Sequence, residues 1–197
     1  MAIYNKFTSL PFNLYRIIIK LIQNDIFCKL LYYNTYDCLS KPNLTYDEKI
    51  GMIWKSLDGK SMDNRMDEYN IFLTNTVSNE MTDSKIMLQC YHYADRPINH
   101  ILTTIYYKFD FLYGSTTAVV EYEGYSCNRG DVFETELMKS LNGEDVAGVG
   151  LLQYNRGLDF GSVCGTDVGL GNNSTFTGIS IILGTRIGDI DNVNCSQ

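Results

Sequence analysis

Residues 101–113, ILTTIYYKFDFLY, constrain the fold more than any other stretch of the chain. Side chains alternate sides along a strand. The odd positions are Ile101, Thr103, Ile105, Tyr107, Phe109, Phe111 and Tyr113, while the even positions include Thr104, Tyr106, Lys108 and Asp110. One face is strongly apolar and the other mixed, which predicts a half-buried antiparallel strand. A strand of this length reaches about 43 Å, more than a small sheet needs, so a bend or a projecting end is expected. The chain then turns at Gly114–Ser115 and continues as TTAVVEYEGY, read as further strand, before the helical segment RGDVFETELMKSLNG. Asn128 is placed to cap that helix, and Asp131 and Glu134 suit the positive end of its dipole. Phe133, Leu137, Met138 and Leu141 form the side that packs on a sheet, and Asn142–Gly143 supplies the stop.

Ahead of this core, residues 1–10 read as an arm ending at Pro11, followed by a helical pattern over 12–33 that Asn24–Asp25 divides into two helices. A loop punctuated by Pro42 follows, and Thr45-Tyr46-Asp47-Glu48 opens another helix as a capping box. Further strands are expected over 69–77, 85–93, 150–154 and 174–187. Two polar segments, DGKSMDNRMDE at 58–68 and the Gly-rich 156–173, are longer than ordinary connections and are candidate contact loops. The expected class is therefore α+β: N-terminal arm and helices over 1–57, then a mainly antiparallel sheet with one packed helix over 58–197, folded as a single domain with long loops.

The formal net charge is −7, and no Lys/Arg run breaks it. Phosphate-backbone affinity comes mainly from cationic contacts, so dedicated nucleic-acid binding is not expected. The cysteines at 28, 38, 90, 127, 164 and 195 form no CxxC pair and no zinc-module spacing, and all six are expected to be unpaired thiols. The apolar run RIIIKLI is far shorter than the roughly twenty residues of a membrane span, and no small-residue cleavage site follows it. A soluble protein is expected.

Few residues suggest chemistry. His92 and His100, read on successive strands, would form a metal site if Cys90 or Asp95 joined them, whereas histidines on a partly exposed sheet explain them more simply. The Gly169-Leu170-Gly171 fragment falls short of a dinucleotide fingerprint and precedes a strand instead of opening a helix. Glu121, Glu123, Asp131, Glu134 and Glu136 offer carboxylates, but a solvated face with helix N-terminal acids accounts for them without a cleft. No catalytic residue, cofactor or metal is assigned, and no enzyme is expected.

Two features together carry a resemblance. The first is residues 20–44, KLIQNDIFCKLLYYNTYDCLSKPNL, with its N-D-x-x-C-K-L-L-Y-Y-N run and Leu-Ser-x-Pro loop. The second is the order after it: long antiparallel strands, a helix, a short strand and a closing strand containing FTGISIIL. This resembles the neck, tail-completion and tail-terminator proteins of tailed bacteriophages, and within them the neck rings of crAss-like phages. The polar loop at 58–68 and the Gly-rich loop at 156–173 are longer than that pattern. The resemblance implies a structural virion protein, assembled in the host cytoplasm, whose copies form a ring in the neck or tail. The ring would join the portal to the tail and let genomic DNA pass through. Its partners would be other copies of itself and the portal or adjacent ring proteins, with no membrane. The two long loops then place the expected ring interface at Asp58, Arg65, Glu68, Arg156, Asp159 and Asp167, with the arginines as bidentate anchors. A phage fibre or receptor-binding module is the alternative reading.

Overall fold

A computed structural model describes residues 9–54, 68–75, 85–154, 166–167 and 176–188. The chain opens with helices α1 (Leu10–Leu21), α2 (Asp25–Tyr32) and α3 (Tyr46–Gly51). Strands β1 (Ile71–Phe72), β2 (Ile86–Pro97), β3 (Leu102–Gly114), β4 (Val119–Tyr122) and β5 (Tyr125–Asn128) follow. Next come α4 (Arg129–Leu141) and strands β6 (Asp145–Val146), β7 (Gly150–Leu151), β8 (Gln153–Tyr154), β9 (Thr166–Asp167) and β10 (Phe176–Gly188). This is the expected α+β class with a mainly antiparallel sheet.

The helix boundaries follow local chemistry. Helix α1 begins before the expected point because Pro11 sits in its first turn, where the missing N–H costs nothing. Asn24 separates α1 from α2, its side chain accepting from the Phe27 N–H at 3.1 Å. The capping box at Thr45 and Glu48 forms as expected.

The main sheet runs β1-β2-β3-β10-β8, with β9 also paired to β10. Its centre is three long antiparallel strands, β2, β3 and β10. The expected overhang of β3 is absent, since β10 pairs with it from Gly114↔Phe176 to Leu102↔Gly188. The irregularity falls in β2 instead, as a register shift between His92 and Ala94. Strand β1 is shorter than the expected 69–77 strand, and it runs parallel to β2.

The odd-numbered face of β3 is buried, with Ile105, Tyr107, Phe109, Phe111 and Tyr113 in one cluster. All four helices contribute to that cluster, through Ile17, Ile18 and Leu21, through Phe27, Leu30 and Leu31, through the partly buried Ile50, and through Phe133, Leu137 and Leu141. Phe133 stacks face to face on Phe111, with ring centroids 3.9 Å apart. Each fully buried side chain of this size contributes about 1.5–3 kcal/mol. On the even-numbered face a smaller cluster joins Phe72, Met87 and Leu112 to Trp54 and Tyr69.

Residues 115–125 do not form one continued strand. Glu123 and Gly124 both take positive φ, 52° and 83°, and fold β4 back on β5. Positive φ at both central residues matches the twist of a two-residue hairpin.

Candidate functional site

Of the six residues expected at an interface, Asp58, Arg65, Arg156 and Asp159 lie outside the described residues. Glu68 is exposed and leads into β1 at one edge of the sheet. Asp167 sits in β9, opposite Ile179 on the other side of the sheet. The fold therefore sets these two apart.

The histidines do not meet across strands. His100 lies in the turn between β2 and β3, and the Asn99 carboxamide oxygen holds that turn by accepting from the N–H groups of Ile101 and Leu102. His92 stands opposite Tyr107, and its Nε2 lies 2.6 Å from Asp95 Oδ1. Cys90 is buried in the core, where desolvation pushes its thiol pKa up, far from the thiolate a metal requires. Among the described residues no group of three His, Cys, Asp or Glu side chains is placed to hold a metal ion.

The carboxylate run over 121–136 is divided by the fold. Glu136 faces inward from α4, where its Oε2 accepts from Asn24 Nδ2 at 2.9 Å. Its Oε1 accepts from Lys139 Nζ at 2.8 Å and Tyr122 OH at 3.3 Å. Burial pushes the Glu136 pKa up, but the Asn24, Lys139 and Tyr122 contacts outweigh it, and the pKa lies below the ordinary value. Glu121 and Glu123 instead sit on the β4–β5 hairpin.

Two further polar centres were not singled out in the sequence. Asp110, on the even face of β3, accepts from Tyr91 OH at 2.7 Å and from Ser180 Oγ, and pairs with Lys108 Nζ at 3.1 Å. Among the described residues Arg129 is the largest fully buried side chain, with 0 % exposure. Its Nε donates to Thr117 O at 2.6 Å, its Nη1 to Leu30 O at 2.7 Å and Tyr33 O at 3.0 Å, and its Nη2 to Thr35 O at 3.0 Å. Leu30 and Tyr33 carry carbonyls at the C-terminal, negative end of α2, which suits a cation. Burial lowers the guanidinium pKa, while the neighbouring Cys38 works in the opposite sense. Arg129 thus fastens the end of α2 and residues 33–35 to the start of α4. An arginine in the first turn of a helix gives no sign of burial until the fold brings these carbonyls around it.

The loop fastened in this way carries an exposed aromatic ring. Tyr36 is 47 % exposed, its OH lies 2.8 Å from Ser126 Oγ on β5, and its carbonyl accepts from the Glu121 N–H at 2.9 Å. Val119 and Tyr125 on the same hairpin are 49 % and 73 % exposed.

A family model, YomW, matches residues 24–184. The chain belongs to the YomW family. It is accordingly a phage-associated protein. No curated protein matches the chain, and no solved structure does. The YomW match begins at the residue that caps α2 and ends within β10. Arg129 and all four of its carbonyl partners therefore lie inside the YomW stretch, as do Glu136, Asp110 and the β4–β5 hairpin. Helix α1 lies outside it, docked by Asn13 on Tyr107 OH at 2.9 Å and by Arg16 Nη1 on Gly148 O at 2.9 Å.

Proposed function

We propose that the protein is a structural subunit of the phage particle, forming a ring in the neck or tail that joins the portal to the tail. The observation that carries this reading is the match to a phage-associated family over residues 24–184. Composition supports it. A ring that surrounds moving DNA is best served by weak adhesion to phosphate, and a net charge of −7 disfavours such adhesion. The interior supports it too, because the most elaborate polar constellations, at Arg129, Glu136 and Asp110, are satisfied by the protein's own groups. Such contacts hold a scaffold rigid. In this reading the protein turns over no substrate, contacts DNA only in transit, and meets other copies of itself and the neighbouring portal or tail rings.

Mass spectrometry of gradient-purified virions, followed by cryo-EM of the neck, tests the proposal. The expected result is stoichiometric protein in the particle and a ring density at the head–tail junction that fits this fold. Absence from purified virions overturns it. The exposed tyrosines also suit a fibre or receptor-binding module, and density at a fibre in place of the neck would assign that role.

A further inference from the structure

The register shift in β2 sorts charge between the two faces of the sheet. Strict alternation from Tyr91, which stands opposite Lys108, would bring Asp95 opposite Thr104 and turn Arg96 to the core face. The shift between His92 and Ala94 reverses this. Arg96 stands opposite Thr104 on the even face, and Asp95 turns to the other side, where its Oδ1 lies 2.6 Å from His92 Nε2. On the far side of β3, Arg186 of β10 stands opposite the same Thr104. Two exposed arginines therefore flank one half-buried threonine in a single cross-strand row. Their Cα atoms are two strand spacings apart, about 10 Å.

The rest of this face has the same sign. Lys108 Nζ lies 5.9 Å from the Tyr91 ring centroid and 5.8 Å from that of Tyr93. Among the described residues of β2, β3 and β10, Asp110 is the one acid on the even face. It is 7 % exposed and already meets Tyr91, Ser180 and Lys108. Among the described residues no carboxylate pairs with Arg186. Arg96 holds a contact within the chain, and a guanidinium has five N–H donors to share. A chain of net charge −7 thus presents one end of a sheet face whose exposed charges are both cationic.

We propose that the Arg96–Thr104–Arg186 row binds backbone phosphates of DNA. Guanidinium forks match phosphate oxygens, and threonine hydroxyls are regular donors to them. The exposed side chains of this face are Tyr93, Arg96 and Arg186, with no exposed aliphatic group among them, whereas a protein interface is built around an apolar centre. Two arginines in an acidic chain give a weak, salt-sensitive contact that reads no bases, which suits a duplex in motion. The location of the row rests on the ring reading, in which this face looks into the channel. The binding itself is a property of the isolated chain.

The test titrates the full chain against a short dye-labelled duplex, reading fluorescence anisotropy over a series of salt concentrations. Binding at low salt is expected, and its logarithm is expected to fall linearly with the logarithm of salt concentration. Arg186→Ala and Arg96→Ala are each expected to weaken binding and to flatten that slope by about 0.9, the share of one phosphate contact. Arg186→Lys keeps the charge and is expected to keep the slope. Lys20→Ala with Lys41→Ala removes two cations elsewhere and is expected to leave both affinity and slope unchanged. Absence of binding at low salt overturns the proposal, as does equal weakening by that control pair. A fall in oligomer mass on Arg186→Ala in sedimentation, with duplex binding unchanged, would make the occupant a second copy and also overturn it. Any of these results beside a ring of this protein in the virion neck would remove the DNA contact and leave the proposed function standing.

Discussion

Arg129→Ala is expected to destabilise the protein by about 3–5 kcal/mol, as expected when one side of a buried polar contact is removed. The guanidinium donates to Thr117 and Leu30 within the buried interior, and to Tyr33 and Thr35 where the contacts are half-buried. A buried carbonyl left without a donor costs about 1–3 kcal/mol, and two such carbonyls remain here. The aliphatic stem adds about 0.8 kcal/mol for each buried methylene lost. Release of a desolvated cation works the other way. Water can replace the guanidinium at the two half-buried carbonyls, which limits their share. Against a typical total of about 5–15 kcal/mol, the variant is left marginal. Urea unfolding followed by the fluorescence of Trp54, the single tryptophan, measures the loss, with far-UV circular dichroism as a second probe. Arg129→Lys is expected to fall between, because an ammonium cannot reproduce the guanidinium fork toward three directions. Arg129→Met is the decisive variant, since it keeps much of the volume and removes the charge. A loss below about 1 kcal/mol in Arg129→Met would show that desolvation cancels the four contacts, and would refute the reasoning.

Phe111→Ala is expected to cost about 3–5 kcal/mol in the same assay, because it empties the stack on Phe133, and a near-neutral result would contradict the assigned face of β3. Lys108→Ala is expected to cost less than the phenylalanine, though more than an exposed lysine, because Lys108 is only partly exposed and pairs with Asp110. Glu136 has a folded pKa below its ordinary 4.5, so its contribution is present above that value and is lost as pH falls through the folded pKa. Stability measured from pH 6 down to pH 3 is therefore expected to fall less steeply in Glu136→Gln than in the parent, and parallel curves would remove Glu136 from the account. Cys28, Cys38 and Cys90 are buried, with the Cys28 thiol pushed up to about 12 by desolvation, so alkylation mapped by mass spectrometry is expected to spare them until the protein unfolds. Cys127, half-buried on β5, is expected to react before them, and native labelling at Cys28 or Cys90 would contradict the packing.

The strand β3 was legible because thirteen residues hold one period without a break, and a one-residue slip would turn every phenylalanine to the wrong face. Helix α4 was legible from its ends, where Asn128 and Asn142–Gly143 carry their own backbone signals. The β4–β5 hairpin was not, because Glu123 is an unusual residue at positive φ and only Gly124 announces the turn. The strand expected over 69–77 rests on β-prone residues, yet among the described residues of that stretch, 69–75, only Ile71 and Phe72 pair with β2, and 76–77 lie outside the described residues. His100 lies in a turn and not on a strand because the Asn99 side chain caps the N–H groups of Ile101 and Leu102, a local signal that strand periodicity does not carry. The candidate site was less legible still. Four of its six residues lie outside the described structure, and Arg129 and Tyr36 acquire their roles only through groups distant in sequence.

The Asp110 cluster does for the central strands what hydrophobic alternation cannot. Alternation rejects a one-residue slip of β10 against β3, since that would exchange the two faces. A two-residue slip keeps every apolar residue on its correct face, so the core pattern discriminates against it only weakly. In the observed register Ser180 stands opposite Asp110 and donates to it, while Gln89 flanks Asp110 on β2 and Tyr91 donates from one step away. A two-residue slip of β10 would put Gly178 or Ile182 opposite Asp110, and neither side chain can donate a hydrogen bond. Removing one donor from a nearly buried carboxylate costs about 1–3 kcal/mol, enough to make the slipped register a minor state. Gly178 adds a steric term, because a Cβ there would stand 2.3 Å from the Phe111 carbonyl oxygen, so the position opposite Leu112 is closed to the residues a slip would bring. The apolar face thus decides which side of β10 is inward, and the carboxylate with the glycine decides where along β3 it comes to rest.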